Sequence, residues 1–137
     1  MELRHLRYFI AVALDAAKRA DMAMVGIGAP GIGSSGALLD ALALSPAERA
    51  EFEAAGAAGD VCGRFYDLNG QEVPSVVNQR VLAVTLDDLR SIPTVAGVAA
   101  GAEKAPGILG ALRGEFVDVL ICDQQAARSV LRLDGGT

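Results

Sequence analysis

The chain has 137 residues, 52% of them hydrophobic and 21% charged, with a net charge of −5. That length fits one domain able to bury a core without disulfide staples, and the composition excludes a disordered chain. An acidic chain with no basic cluster is a poor reader of DNA on its own, and two cysteines (Cys62, Cys122) with one histidine (His5) offer no metal-ligand spacing.

Residues 2–20 predict an amphipathic helix. Leu3, Leu6, Phe9, Ile10, Ala13, Leu14 and Ala17 share one face at 3.6 spacing, while Arg4, Arg7, Lys18 and Arg19 lie elsewhere. The stripe reads as core or interface packing, and His5 as an exposed residue. This start has neither a signal-peptide apolar region nor a cleavage site, and no run approaches the ~18 apolar residues of a membrane span. The expectation is a cytoplasmic protein with reduced thiols and no membrane partner.

Residues 23–27 read as a short buried strand. A glycine-rich loop over 26–36 follows, in which Gly26, Gly28 and Gly31 fit G-x-G-x-x-G. Strand-then-glycine order suits a loop whose N–H groups approach an anion. A dinucleotide site would add an acidic residue about 20 positions on, at the end of a second strand. Glu48 and Glu51 fall instead in Ser45-Pro46-Ala47-Glu48, a helix start with Ser as N-cap and Glu at N3. With no G-x-x-x-x-G-K-[ST] either, no cofactor is implied.

Residues 38–44 and 46–55 predict two short helices. Next comes Gly59-Asp60-Val61-Cys62-Gly63-Arg64-Phe65-Tyr66-Asp67, a polar run inside an apolar chain. It reads as extended structure leading into a hairpin turn at Leu68-Asn69-Gly70. Pro74 and Ser75 break the pairing, residues 80–84 predict a strand, and Thr85 caps a helical turn ended by Pro93. A strand over 94–98, a loop of small residues ending at Gly101, a helix over 103–113, a strand over 117–122 and an Asp123-capped helix to about Leu133 complete the chain, before a short tail over 134–137.

Strands without alternation, spaced by helices, predict an α/β fold: a Rossmann-like parallel sheet covered by helices on both faces, with a small β-hairpin insertion. Ligands in such sheets sit beyond the carboxyl ends of the strands. The loops over 28–36 and 97–104 share that edge.

Five blocks resemble one family: Asp21 to Gly28, the run Gly59 to Asp67, Leu86-Asp87-Asp88-Leu89-Arg90-Ser91-Ile92-Pro93, Val95 to Lys104, and Ala111-Leu112-Arg113-Gly114. In order and spacing, over roughly residues 15–133, they resemble the sugar-binding effector domain of SorC/DeoR-type bacterial transcription regulators. The resemblance implies a phosphosugar-isomerase-like fold, a phosphorylated sugar as effector, and a homo-oligomeric regulator. That family's N-terminal helix-turn-helix and the first half of its effector domain have no counterpart here. In their place, residues 1–13 resemble the start of LysR-type regulators, too short to make a recognition helix. The expected organisation is a LysR-like helix over 1–20, a partial SorC-type domain over 21–133 and the tail, a truncated fragment meeting DNA only through a missing domain.

Residue by residue, alternatives stay open. Lys104 reads as a solvated lysine or, at a helix start that already favours anions, as a phosphate ligand; the resemblance matches it to the family's Gly-Gly-x-x-Lys. Asp60 reads as a turn former or as an acceptor for two sugar hydroxyls; the resemblance makes it the acidic residue before the Gly-Arg-Phe block. Asp67 reads as closing the hairpin, Arg64 and Arg80 as pairing with Asp67 or an interface carboxylate. Cys62 reads as a small buried or half-buried residue without a histidine to activate it. The sugar- or phosphate-binding set implied is Asp60, Lys104, Gly28, Cys62 and Gly101. The leading function is non-enzymatic sensing of a phosphorylated sugar. The competitors are a phosphosugar-isomerase-like enzyme and a remnant with impaired binding that only dimerises.

Overall fold

The structure, a computed structural model, describes residues 2–135. The end of the expected tail, 136–137, and Met1 of the LysR-like start lie outside the described residues. The elements run α1 (Leu3–Lys18), β1 (Met22–Gly28), α2 (Gly33–Ala41), α3 (Pro46–Ala54), β2 (Gly59–Val61), β3 (Arg64–Tyr66), α4 (Val76–Arg80), α5 (Leu86–Ser91), β4 (Thr94–Ala99), a 3₁₀ turn (Ala102–Lys104), α6 (Ala105–Arg113), β5 (Val119–Cys122) and α7 (Gln124–Leu133).

One five-stranded sheet has the order β3-β2-β1-β4-β5. β1, β4 and β5 are parallel, whereas β1–β2 and β2–β3 are antiparallel. The hairpin therefore extends the sheet from the carboxyl end of β1, where Gly28 pairs with Asp60. Its turn is not the expected one. Cys62 and Gly63 join β2 to β3, both at positive φ (54° and 75°), as a two-residue hairpin loop requires. Asn69-Gly70 makes a second turn just after: Gly70 N–H donates to Asp67 O (3.0 Å) and Tyr66 bridges Glu72. Asp67 closes that turn, accepting the N–H groups of Asn69 and Gln71 at 2.9 Å.

The strand expected over 80–84 is absent, and α4 stands just before it. Ser75 caps α4 by accepting the Asn78 N–H (3.4 Å). The buried Asn78 side chain accepts the Phe65 N–H (2.8 Å) and donates to Phe65 O and Val73 O (both 2.9 Å). Those three bonds satisfy β3 and the segment beyond it, and they hold Asn78 in a helical turn against the β-propensity of its valine neighbours. α2 begins five residues before its expected start and leads straight out of the glycine loop. α3 carries the capping box expected of Ser45/Glu48; Thr85 caps α5 as expected, and the structure adds Asp88 as the second half of a capping box there.

Two cores follow. Val25, Ile27, Val95, Ile108, Phe116, Ala126 and their neighbours form the larger, between one face of the sheet and α5, α6 and α7. Leu39, Phe52, Phe65, Val73 and Val77 form the smaller, with α2, α3 and α4 against the hairpin; Phe52 and Phe65 meet edge to face with centroids 4.9 Å apart. The parallel strands are thus covered on one face only. Met22 and Met24 on β1 are 63% and 70% exposed, and Val98, Val119 and Ile121 continue the open surface. The register puts Met24 beside Ala96, Ala96 beside Val119 and Val98 beside Ile121, so these residues share one side. The expectation of helices on both faces is corrected here, and the apolar stripe of α1 is not core: α1 has no buried residue.

Candidate functional site

β1 delivers Gly26, Ile27 and Gly28 to the carboxyl edge of the sheet, where they border a cavity of about 270 Å³. That is the small end of ligand-site volumes, suited to a compact polar molecule rather than an extended dinucleotide. Asp60, Cys62 and Gly63 close one side, Ser34 and Leu38 of α2 another, and Lys104 reaches it from the β4–α6 connection. Four of the five residues singled out in the sequence, Asp60, Lys104, Gly28 and Cys62, therefore meet around one space. Gly101 does not line it. It sits at φ 100° at the start of the 3₁₀ turn that carries Lys104.

Asp60 is only 8% exposed. Ser35, in the first turn of α2, donates its hydroxyl to Asp60 Oδ1, and Gly63 N–H donates to Oδ2 at 3.2 Å. Each carboxylate oxygen has one protein donor and keeps acceptor capacity for another. Gly28 makes the packing possible: a Cβ there would overlap both the Asp60 carboxylate and the Ser35 hydroxyl. Ser35 is the partner that sequence reading missed. The available signal was a serine pair just past the glycine loop, at the start of a helix.

Lys104 brings the opposite charge. No ion pair engages its ammonium among the described residues. The loop beneath it is held by Asp123, whose Oδ2 accepts Gly101 N–H (2.8 Å) while Oδ1 caps α7 through Ala126 N–H (2.7 Å). Those backbone bonds, Ala126 first and then Gly101, hold the Asp123 carboxyl below its usual range. Glu103, beside Lys104, leaves it alone.

Cys62 is exposed, contrary to the expected burial, because it occupies the β2–β3 turn. Desolvation of the thiol at the cavity wall, then the Asp60 charge, push its pKa up. At neutral pH it is a thiol, not a thiolate nucleophile. Tyr66 is buried behind Asp60 and donates to Gly107 O at 3.0 Å; burial, then the Asp60 charge, keep it protonated. The arginines serve structure. Arg64 donates to Asn78 O (2.6 Å) and Ala83 O (3.3 Å) and lies 3.6 Å from Glu72, and Arg80 pairs with Glu48 at 2.5 Å. Neither pairs with Asp67, one of the two kinds of partner expected for them. No helix of the described residues is long and apolar enough to cross a membrane.

The cavity thus offers a held carboxylate, an unengaged ammonium and several backbone groups, chemically suited to a small polar molecule that carries both hydroxyls and negative charge. Comparisons with known proteins point the same way. Residues 2–132 match the Sugar-bind family model, a sugar-binding domain; the match takes in the segment likened to LysR proteins. The transcriptional regulator LsrR of Enterobacter sp. (strain 638) is 39% identical over 121 residues, 88% of this chain and 38% of the relative. The sorbitol operon regulator of Klebsiella pneumoniae is 38% identical over 112 residues, 82% of this chain and 35% of the relative. The crystal structure of the full-length Klebsiella pneumoniae sorbitol operon regulator SorC superposes with a TM-score of 0.76 at 35% identity, covering 89% of this chain and 39% of that one. The sugar-binding domain of a transcriptional repressor from Vibrio fischeri gives 0.79 at 32% identity, covering 90% and 49%. The chain spans less than half of the length of each.

Proposed function

Since the chain belongs to the sugar-binding domain family of SorC- and DeoR-type transcription regulators, we propose that it is a cytoplasmic effector-binding module. It takes a phosphorylated sugar in the cavity at the carboxyl end of β1 and performs no chemistry on it. One observation carries the reading. Asp60 and Lys104 come from distant parts of the sequence and carry opposite charges, yet border the same small space.

In this reading Asp60 accepts hydrogen bonds from sugar hydroxyls, its orientation set by Ser35 and Gly63. Lys104 meets the phosphate as a point charge, aided by the N-terminus of α6 that follows it. Gly28 leaves the room Asp60 needs, Gly101 sets the Lys104 turn, and Cys62 forms the rim. Any contact with DNA runs through a separate domain, in keeping with a net charge of −5. The partial SorC-type domain over 21–133, the LysR-like origin of the start, the kinship to phosphosugar isomerases and homo-oligomeric assembly are parts of the same proposal. Residue order supports the first two, and parallel strands ending at the cavity support the third.

Isothermal titration of the full chain with a panel of sugar phosphates and their dephosphorylated parents tests it. Saturable binding is expected for a sugar phosphate. Lys104→Ala is expected to erase most of the preference for it over the free sugar, and Asp60→Asn to weaken both alike. A folded chain that releases no heat with any member overturns the proposal.

A further inference from the structure

Lys104 reaches the cavity from a piece of chain that has little to fix it. The 3₁₀ turn Ala102–Lys104 is three residues long, closed by Lys104 N–H donating to Gly101 O at 3.2 Å. Ala102 and Glu103 are exposed, so packing does not hold the turn either. Downstream it is anchored by Ala105, buried at the start of α6. Upstream stands Gly101, at φ 100° and ψ 145°, a conformation that glycine alone enters freely. A glycine there is a hinge unless a group outside the loop fixes it.

Asp123 supplies that group. β4 and β5 end side by side, with Ala99 paired to Cys122, so the residue after β5 comes level with the loop after β4. Asp123 Oδ2 accepts the Gly101 N–H (2.8 Å), and its Oδ1 accepts the Ala126 N–H (2.7 Å) at the start of α7. One carboxylate thus ties the Lys104 loop to α7, which is itself anchored by Ala126 and Val130 in the larger core. Asp123 is exposed and does not line the cavity.

We infer that Asp123 is a positioning residue for the ligand: it acts through Gly101 to hold the Lys104 ammonium where an anion meets it. The inference rests on the sugar-phosphate reading of the cavity and adds to it a determinant outside the cavity. An ammonium already in place loses less freedom when the anion arrives. The preference for a phosphorylated over a free sugar therefore depends on a residue that touches neither. Charge alone works the other way. Removing an acid from the neighbourhood of an anion site strengthens anion binding, so weaker binding is the mark of positioning.

Isothermal titration of the full chain with hexose and pentose monophosphates, each beside its parent sugar, separates these effects. Asp123→Ala loses both bonds. Asp123→Ser keeps a cap for α7, since serine is a good N-cap, but has no second oxygen for Gly101. Thr85→Ala removes a cap from α5 at a residue that does not line the cavity. Melting temperatures are expected to fall in Asp123→Ala and Thr85→Ala and to recover in part in Asp123→Ser. Affinity for the sugar phosphate is expected to fall roughly threefold to tenfold in both Asp123 variants, with affinity for the parent sugar unchanged. Thr85→Ala is expected to bind both as the wild type does. Unchanged or tighter phosphate binding in Asp123→Ser overturns the inference and leaves the sugar-phosphate reading in place. So does an equal loss for phosphate and parent sugar, or affinities that follow melting temperature across all three variants. A folded wild type that binds no member of the panel removes that reading, and the inference with it.

Discussion

The hairpin end of the sheet and its parallel end differ in how they are covered. In β2 and β3 Phe65 meets α2, α3 and α4, while Val61 and Tyr66 meet the larger core, so both faces of the hairpin are packed. In β1, β4 and β5 only one face is packed, though their sequences are no less apolar. An apolar strand thus records that a face is meant to be covered, not that its own chain covers it. The hairpin end is self-sufficient, and that is where the cavity lies.

Three measurements test this contrast. The largest effect is expected at the hairpin. Phe65→Ala removes the ring at the centre of the smaller core and is expected to cost about 3–5 kcal/mol in urea unfolding; a loss under about 1 kcal/mol would mean that the two cores are not separate. A smaller effect is expected where the cavity loop meets the parallel end. Asp123 has a folded pKa below its unfolded value, so its contribution is complete above the unfolded carboxylate pKa of about 3.9. It fades as pH falls through the folded value. Asp123→Ala is therefore expected to lower the melting temperature at pH 7 and to make progressively less difference below about pH 4. A gap that persists unchanged into strong acid would show that the carboxylate charge is not what holds Gly101. The smallest effect is expected on the open face. Met24→Ala is expected to shift the stability of the chain by no more than about 0.5 kcal/mol. A larger loss would mean that the face is covered within one chain.

Much of the fold was legible because its signals are local. Ser45/Glu48, Thr85 and Asp123 mark helix starts by local capping groups, and the helices begin there. The apolar runs of β1, β4 and β5 mark strands. What could not be read depended on partners far away. Residues 81–84 have strand composition, but Asn78 commits the preceding segment to a helix through bonds to Phe65, 13 positions earlier. A cysteine at positive φ is not a turn signal, so the Cys62-Gly63 turn stayed hidden while Asn69-Gly70 was found. Asp60 and Lys104 were recognisable singly, whereas the hydroxyl holding Asp60 comes from Ser35, 25 positions away in another element.

One further consequence follows from the contact between the hairpin and α6. A Cβ at Gly107 would lie 2.9 Å from Gly28 O and 3.2 Å from Gly59 Cα, and Tyr66 pins the same residue through its carbonyl at 3.0 Å. Gly59 precedes Asp60, and Gly107 follows Lys104 by three residues. The hairpin and α6 are therefore held main chain against main chain at Gly59 and Gly107, and a side chain at either glycine is expected to force the two elements apart.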